Sequence, residues 1–231
     1  MTTKLIGIGG FARSGKDTFV GISKKILERN GYKLIRVAFA DKLKEEADLM
    51  LQTNNFSADV YTQDSQAKSL IRPLMVWWGC QRRYESEGLY WINSVNQKIK
   101  DYIAECFVSN LDTDKLVFMI SDVRFPNEAK WVHDTWNGKF VHLRRYTSCS
   151  GIQHDSFSGK EIGYEKWNLY DTAPNEEEQK QDPLIQELSD YKMEWQNMGN
   201  LPLDEAIEVP YLQEKVLKTL NGLKYFNETL S

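Results

Sequence analysis

KLIGIGGFARSGKDT, residues 4–18, carries three signals in one stretch. Lys4 to Ile8 is a short apolar run of strand length. Gly10 is followed by four residues and then Gly15-Lys16, and a helical spacing of Phe19, Ile22, Ile26 and Leu27 begins at once. A strand, a glycine loop and a helix N-terminus in that order are the arrangement of a phosphate-binding P-loop, the plainer alternative being a structural glycine turn. The residue types suit the chemistry. Gly10 and Gly15 allow a tight turn in which backbone N–H groups approach phosphate oxygens. The helix N-terminus adds partial positive charge, and Lys16 adds a mobile point charge. Arg13 and Ser14 complete the loop, and Asp17 and Thr18 open the helix.

With glycine at about 7% of residues, the bare spacing arises by chance in roughly one chain in fifteen of this length. Its position between a strand and a helix therefore carries the argument. One position departs from the common pattern: Asp17 follows the lysine where Ser or Thr is usual. A carboxylate is a hard ligand suited to Mg²⁺, directly or through water. Asp17 is thus a candidate metal residue and Thr18 a candidate phosphate contact. The plainer role for Asp17 is a favourable charge in the first helical turn.

Working outward, Tyr32 to Ala40 reads as a second strand and Asp41 to about Leu51 as a helix. Thr53 to Ser69 is polar and reads as a loop. The dense stretch RPLMVWWGCQRR, residues 72–83, precedes apolar residues at 91, 92, 95, 99, 102, 103 and 106, a helical period. Lys115 to Ile120 is a strongly apolar strand that runs into Ser121-Asp122, and Phe125-Pro126-Asn127-Glu128 turns into another helix. Lys139 to Leu143 is a further strand. Residues 146–200 are polar and weakly periodic, which suggests a lid or insertion with helix near Asp182 to Met193. Pro210 to Gly222 is a last helix. Strands alternating with helices imply an α/β fold with a mainly parallel sheet covered on both faces. The expected layout is one domain over 1–231, with a helical excursion at about 41–110 and the lid at about 146–200.

The 231 residues suffice for a full core. A net charge of −4 argues against a general binder of nucleic-acid polymers. Cys80, Cys106 and Cys149 have no metal spacing and are odd in number, so a reducing cytoplasm is expected rather than a disulfide framework. The chain is expected to lack a secretory leader and a membrane span.

A second site is legible at VFMISD, residues 117–122, an apolar strand ending in a carboxylate. In P-loop proteins such an aspartate lies beside Mg²⁺, which makes Asp122 the metal-side acid, with Arg124 two residues on. The plainer role is a turn cap. Arg72, Arg82, Arg83, Arg124, Arg144 and Arg145 recur at expected element ends, and guanidinium groups suit phosphate. Trp77, Trp78, Tyr90 and Trp91 interleave with them, an arrangement that can stack a base. The alternative is that one of Trp77 and Trp91 is core.

GGFARSGKDT, FADKLKE, the segment from Arg72 to Arg83 with Tyr90-Trp91, and SDVRFPNEA together resemble the phage-type deoxynucleoside monophosphate kinase family. The likeness covers roughly residues 4–145, with GKDT and DVRFPNE its most specific parts. The resemblance implies an adenylate-kinase-like P-loop fold, ATP as donor, Mg²⁺, and a deoxynucleoside monophosphate as acceptor. It implies that Lys16, Asp17 and Thr18 handle ATP and metal. It places Asp41, Lys42 and Lys44 at the start of the acceptor-side helix, and Arg72, Arg83 and Trp91 along the acceptor pocket. Asp122, Arg124 and Glu128 would lie between the nucleotides, with Arg144 a further substrate contact. A homodimer is compatible with the sequence and not required by it. Two other readings stay open: a P-loop kinase for another small phosphorylated acceptor, and a nucleotide-binding ATPase. A binding protein with an inactive loop is the non-enzymatic alternative.

Overall fold

The computed structural model describes residues 3–62, 64–148, 153–154, 161–162, 166–168, 176–199, 201–226 and 228–231. Cys149 and much of the lid expected over 146–200 lie outside the described residues. The chain forms two compact units, one of residues 36–114 with the N-terminal three, the other of 4–35 and 115–231.

The second unit is built on β1 (Lys4–Gly9), which leads through α1 (Lys16–Arg29) to β2 (Lys33–Val37). The chain returns from the helical unit as β3 (Leu116–Val123), then α5 (Pro126–Trp136) and β4 (Lys139–Ser148). The intervening helices are α2 (Phe39–Thr53), α3 (Ser65–Glu85) and α4 (Tyr90–Val108). Beyond β4 come two-residue strands β5 (Gln153–His154) and β6 (Glu161–Ile162), which pair with each other, and β7 (Lys166–Asn168), antiparallel to the end of β4. Then follow α6 (Glu176–Glu187), β8 (Tyr191–Gln196), α7 (Leu203–Ala206) and α8 (Pro210–Gly222). The sheet runs β2-β3-β1-β4 with β8 against β4, five parallel strands flanked by helices, and β1 lies at its centre.

Alternation along the strands assigns the faces. Ile6 and Ile8 of β1, Val117 and Met119 of β3, Val141 and Leu143 of β4, and Met193 and Trp195 of β8 pack with Phe19, Ile22 and Leu27 of α1 and Val216 and Leu220 of α8. On the opposite face Gly7 and Gly9 make room. A Cβ on Gly7 would stand 3.1 Å from Val132 of α5, and one on Gly9 would stand 2.7 Å from Phe140 and 3.0 Å from Ile185 of α6. Burial on both faces explains the unbroken apolar run at 116–120, all of it buried.

The polar tract at the end of the expected lid is part of this sheet. Residues 191–196 form a strand, not the end of a helix: Tyr191, Met193 and Trp195 alternate with Lys192, Glu194 and Gln196, and Val141 to Tyr146 pair with them in parallel register. Helix α6 lies on the sheet through polar side chains on one stripe, spaced by four. Glu178 accepts from Arg124 Nη1 at 3.3 Å, Asp182 Oδ1 lies 2.8 Å from His142 Nε2, and Gln186 Oε1 accepts from Arg144 Nη2 at 2.9 Å. His142 is 0% exposed and Asp182 4%, so their bond is sealed from water.

In the helical unit, α2 starts two residues earlier than Asp41 and ends the second strand at Val37, because the Asp41 carboxylate accepts from Ala38 N–H (3.1 Å) and caps the helix. Helix α3 likewise starts inside the expected loop, at Ser65. Asp64 Oδ1 takes the Ala67 N–H (2.7 Å) as its cap. Ala47, Leu51, Val60 and Ile71 form this unit's apolar cluster.

Asp182→Ala should destabilise the protein by about 1–3 kcal/mol in urea unfolding, the cost of a buried polar group left without its partner. Asp182→Asn, which keeps an acceptor oxygen, should lose less. A stability unchanged in the alanine variant would show that α6 does not depend on this pair.

Candidate functional site

The glycine loop sits at the carboxyl end of the central strand, the edge of an open parallel sheet where ligands bind. Gly10 has φ +128°, and a Cβ there would stand 2.3 Å from the Leu143 carbonyl oxygen. Gly15 is the N-cap of α1 with φ +90°, and its Cβ would stand 2.3 Å from the Trp195 ring. Both glycines are fixed twice, by backbone conformation and by close approach. Arg13 also adopts a positive φ, +61°, and is exposed. The Phe19 N–H donates to the Gly15 carbonyl at 2.9 Å, which leaves the N–H groups of the preceding turn outside the helix's own bonding.

Lys16 folds back over the loop. Its Nζ donates to the carbonyls of Gly10 (2.9 Å) and Phe11 (2.7 Å). The residue as a whole is half-buried, and burial is the leading influence on its ammonium. That burial pulls its pKa down to about 8. Arg124 acts in the same direction, and Asp122, Glu178 and Asp17 oppose it. The charges felt at the lysine are thus those of the strand-end pair Asp122 and Arg124, the helix residue Asp17, and Glu178 from α6.

The register between β1 and β3 contributes to this. Pairing steps from Gly7–Ile120 to Gly9–Val123, so β3 carries one extra residue where Asp122 stands. Glu128 is 1% exposed, and its Oε2 accepts from the N–H groups of Arg124 (2.8 Å) and Phe125 (3.1 Å). That oxygen caps α5 and fixes the Arg124 backbone. Ser14 is buried and Thr18 half-buried, while Asp17 is exposed beside the loop. Among the described residues no three His, Cys, Asp or Glu side chains are grouped closely enough to hold a metal by themselves. Asp17 and Asp122, the two expected metal residues, both act on the charge of Lys16, and a carboxylate is a hard ligand of the kind Mg²⁺ takes.

The residues expected on the acceptor side fall in the helical unit and do not form one cluster there. Asp41 and Lys42 line a groove of about 520 Å³ with Glu45, Lys98, Asp101 and Tyr102. Lys44 lies over the Tyr61 ring at 5.9 Å. Arg72 is exposed and Arg83 half-buried on α3. Trp91 is 3% exposed and donates its indole N–H to the Gly79 carbonyl at 3.2 Å; it belongs to the core, not to a pocket wall. The stacked group in this segment is Arg82, 4.7 Å from both the Trp78 and Tyr90 rings and 3.5 Å from Glu46. Glu46 also accepts from the Trp78 indole (2.9 Å) and the Tyr90 hydroxyl. Its hydrogen bond to that carboxylate, with burial adding to it, pushes the Tyr90 pKa up.

The sequence reading missed two contributors to the loop, Trp195 and Glu178. Trp195 donates its indole N–H to the Ser14 carbonyl at 2.8 Å. The alternation of Tyr191, Met193 and Trp195 was the available signal for it. Glu178 had none, since a run of three glutamates looks like a solvated face.

Compared with known proteins, the chain matches no family profile and no curated protein sequence. The site is therefore read from its own geometry: a glycine loop at a helix N-terminus, a lysine folded over it, and Asp17, Asp122 and Glu178 acting on that lysine's charge.

The lowered pKa of Lys16 has a measurable consequence. An anion in the loop stabilises the charged ammonium, so binding takes up a proton at a pH above the free-state value of about 8. Sulfate does not titrate in this range. Its affinity should be flat below about pH 7 and fall about five- to tenfold per unit between pH 8 and 10. In Lys16→Arg, which holds its charge throughout, the fall should disappear. Equal pH profiles in the two proteins would mean that the lysine does not face the anion.

Proposed function

We propose that this protein is an ATP-dependent kinase that transfers the γ-phosphoryl group to a deoxynucleoside monophosphate and gives the diphosphate. The observation that carries this reading is the glycine loop at the end of the central strand, with Lys16 folded over it and Asp122 and Arg124 close by. The GKDT and DVRFPNE motifs support the acceptor class.

In this reading the loop from Gly10 to Gly15 cradles the ATP phosphates with backbone N–H groups. Lys16 leaves the Gly10 and Phe11 carbonyls and pairs with the β- and γ-phosphates, and Thr18 bonds a phosphate oxygen. Arg124, aimed by Glu178, neutralises charge on the group in transfer. Asp17 and Asp122 hold Mg²⁺ directly or through water, and the ion, when bound, screens the phosphate oxygens. An acceptor phosphate oxygen attacks the γ-phosphorus as the bond to the β-bridging oxygen breaks, and ADP leaves. The chain's task is placement and charge neutralisation, since phosphoryl transfer needs little covalent assistance. Arg72 and Arg83 are the acceptor-phosphate residues of this proposal, with Asp41, Lys42 and Lys44 also on the acceptor side.

The test is to supply Mg-ATP with a panel of nucleoside and deoxynucleoside monophosphates and to follow ADP and the diphosphate product. Deoxynucleoside diphosphate formed in step with ADP is the expected result. ADP formed without acceptor would make the protein an ATPase, and none with any acceptor would make it a binding module. In the active case Lys16→Ala should lower turnover by about 10²-fold or more with its melting temperature retained. A variant that keeps its turnover would remove the loop from the mechanism.

A further inference from the structure

The loop's carbonyl groups need an account as much as its N–H groups do. A trans peptide directs its C=O and N–H in opposite directions, and the described chain has no cis peptide. Whatever holds the Ser14 carbonyl therefore also aims the Gly15 N–H. That holder is Trp195, at the far end of β8. Its indole N–H donates to Ser14 O at 2.8 Å in a buried contact. The ring is 2% exposed and lies so close to the Gly15 Cα that a Cβ there would be 2.3 Å from it.

Among the described residues no other contact of Ser14 replaces this one. The Ser14 hydroxyl is buried without a partner, and the Ser14 N–H turns to the Phe11 carbonyl at 3.2 Å, on the preceding peptide. The ring cannot easily shift, because β8 is held in register along β4 from Tyr191 to Gln196. Met193, two residues back, lies in the same core.

We propose that Trp195 is a positioning residue for the phosphate loop: by gripping the Ser14 carbonyl it turns the Gly15 N–H away from the core and toward the anion. This rests on the phosphate-loop reading above and adds a residue far outside the loop's own sequence. The indole touches neither substrate nor metal in this account. It acts only through one peptide group, and its hydrogen bond, not its bulk, is the active feature.

Two substitutions separate the bond from the bulk. Trp195→Phe keeps an aromatic ring and removes the donor. Replacing the indole with benzothiophene by amber suppression keeps the shape and exchanges N–H for sulfur. Inorganic pyrophosphate, titrated by calorimetry into the full-length proteins, is the probe. Both variants should bind it roughly tenfold more weakly, with melting temperatures within about 4 °C of the parent. In ¹⁵N spectra of the parent protein, the Gly15 amide should move downfield on pyrophosphate addition, and this shift should shrink in both variants. A structural role alone would lower the melting temperature and leave that shift in place. Unchanged affinity in both variants, beside a parent that binds, overturns the positioning role and leaves the phosphate loop standing. A parent that binds no pyrophosphate overturns both. If neither variant folds, the parent spectra still decide. A Gly15 amide that stays still while the Lys16 amide moves overturns the inference, and a Gly15 amide that moves supports it.

Discussion

An ammonium group withdrawn from water and held by two main-chain carbonyls is the interaction around which this site is arranged. Taking a charge out of water is unfavourable unless other groups replace the lost solvation. Here the Gly10 and Phe11 carbonyls and the nearby carboxylates replace part of it, and the pKa still falls to about 8 through burial and the charge of Arg124. The loop thus satisfies its lysine internally, but incompletely. In the proposed function, an anion with stronger acceptors would displace the two carbonyls and restore the balance. The glycines are needed because the loop must come close enough to its own lysine, to the Leu143 carbonyl and to the Trp195 ring all at once.

The polar stripe of α6 extends the same electrostatic arrangement into the sheet. Glu178, Asp182 and Gln186 lie four residues apart on one side of the helix and meet Arg124, His142 and Arg144. A helix fixed this way has lower tolerance for sliding than one packed by aliphatic side chains, because a shift of one turn would mismatch all three pairs together. Arg124, 53% exposed at the side chain, can reach an anion while keeping a defined origin at Glu178. Glu128 fixes the backbone of the same arginine, so one side chain sets its guanidinium and another its main chain.

What could be read in the sequence were the features whose physics is local. The strand, loop and helix at 4–29 follow from neighbouring residues, as do the apolar run at 116–120 and the α8 stripe. The failures have non-local causes. Residues 191–196 looked like part of a polar insertion because half of their side chains face outward and the stretch is short, although its two-residue period was legible. Trp91 looked like a binding aromatic because it stands next to Tyr90 and follows the arginines; its burial depends on helices that pack from elsewhere in the chain. Asp64 and Asp41 as caps were within reach of local rules, and the polar composition around them obscured the helix starts. Arg82 shows the limit of counting arginines, since its partners Glu46, Trp78 and Tyr90 come from three helices.

The reach from Ser14 to Trp195 spans 181 positions of chain. A ribosome adding about 5–20 residues per second delivers Trp195 roughly 10–40 s after the glycine loop has left it. Through all of that interval the nascent loop has its glycines and its lysine but no indole behind it, and until residues 139–148 are made it has no β4 either. Until then the glycine loop is written but not yet assembled. Only β8, once it has joined the sheet beside β4, turns the motif into a finished surface.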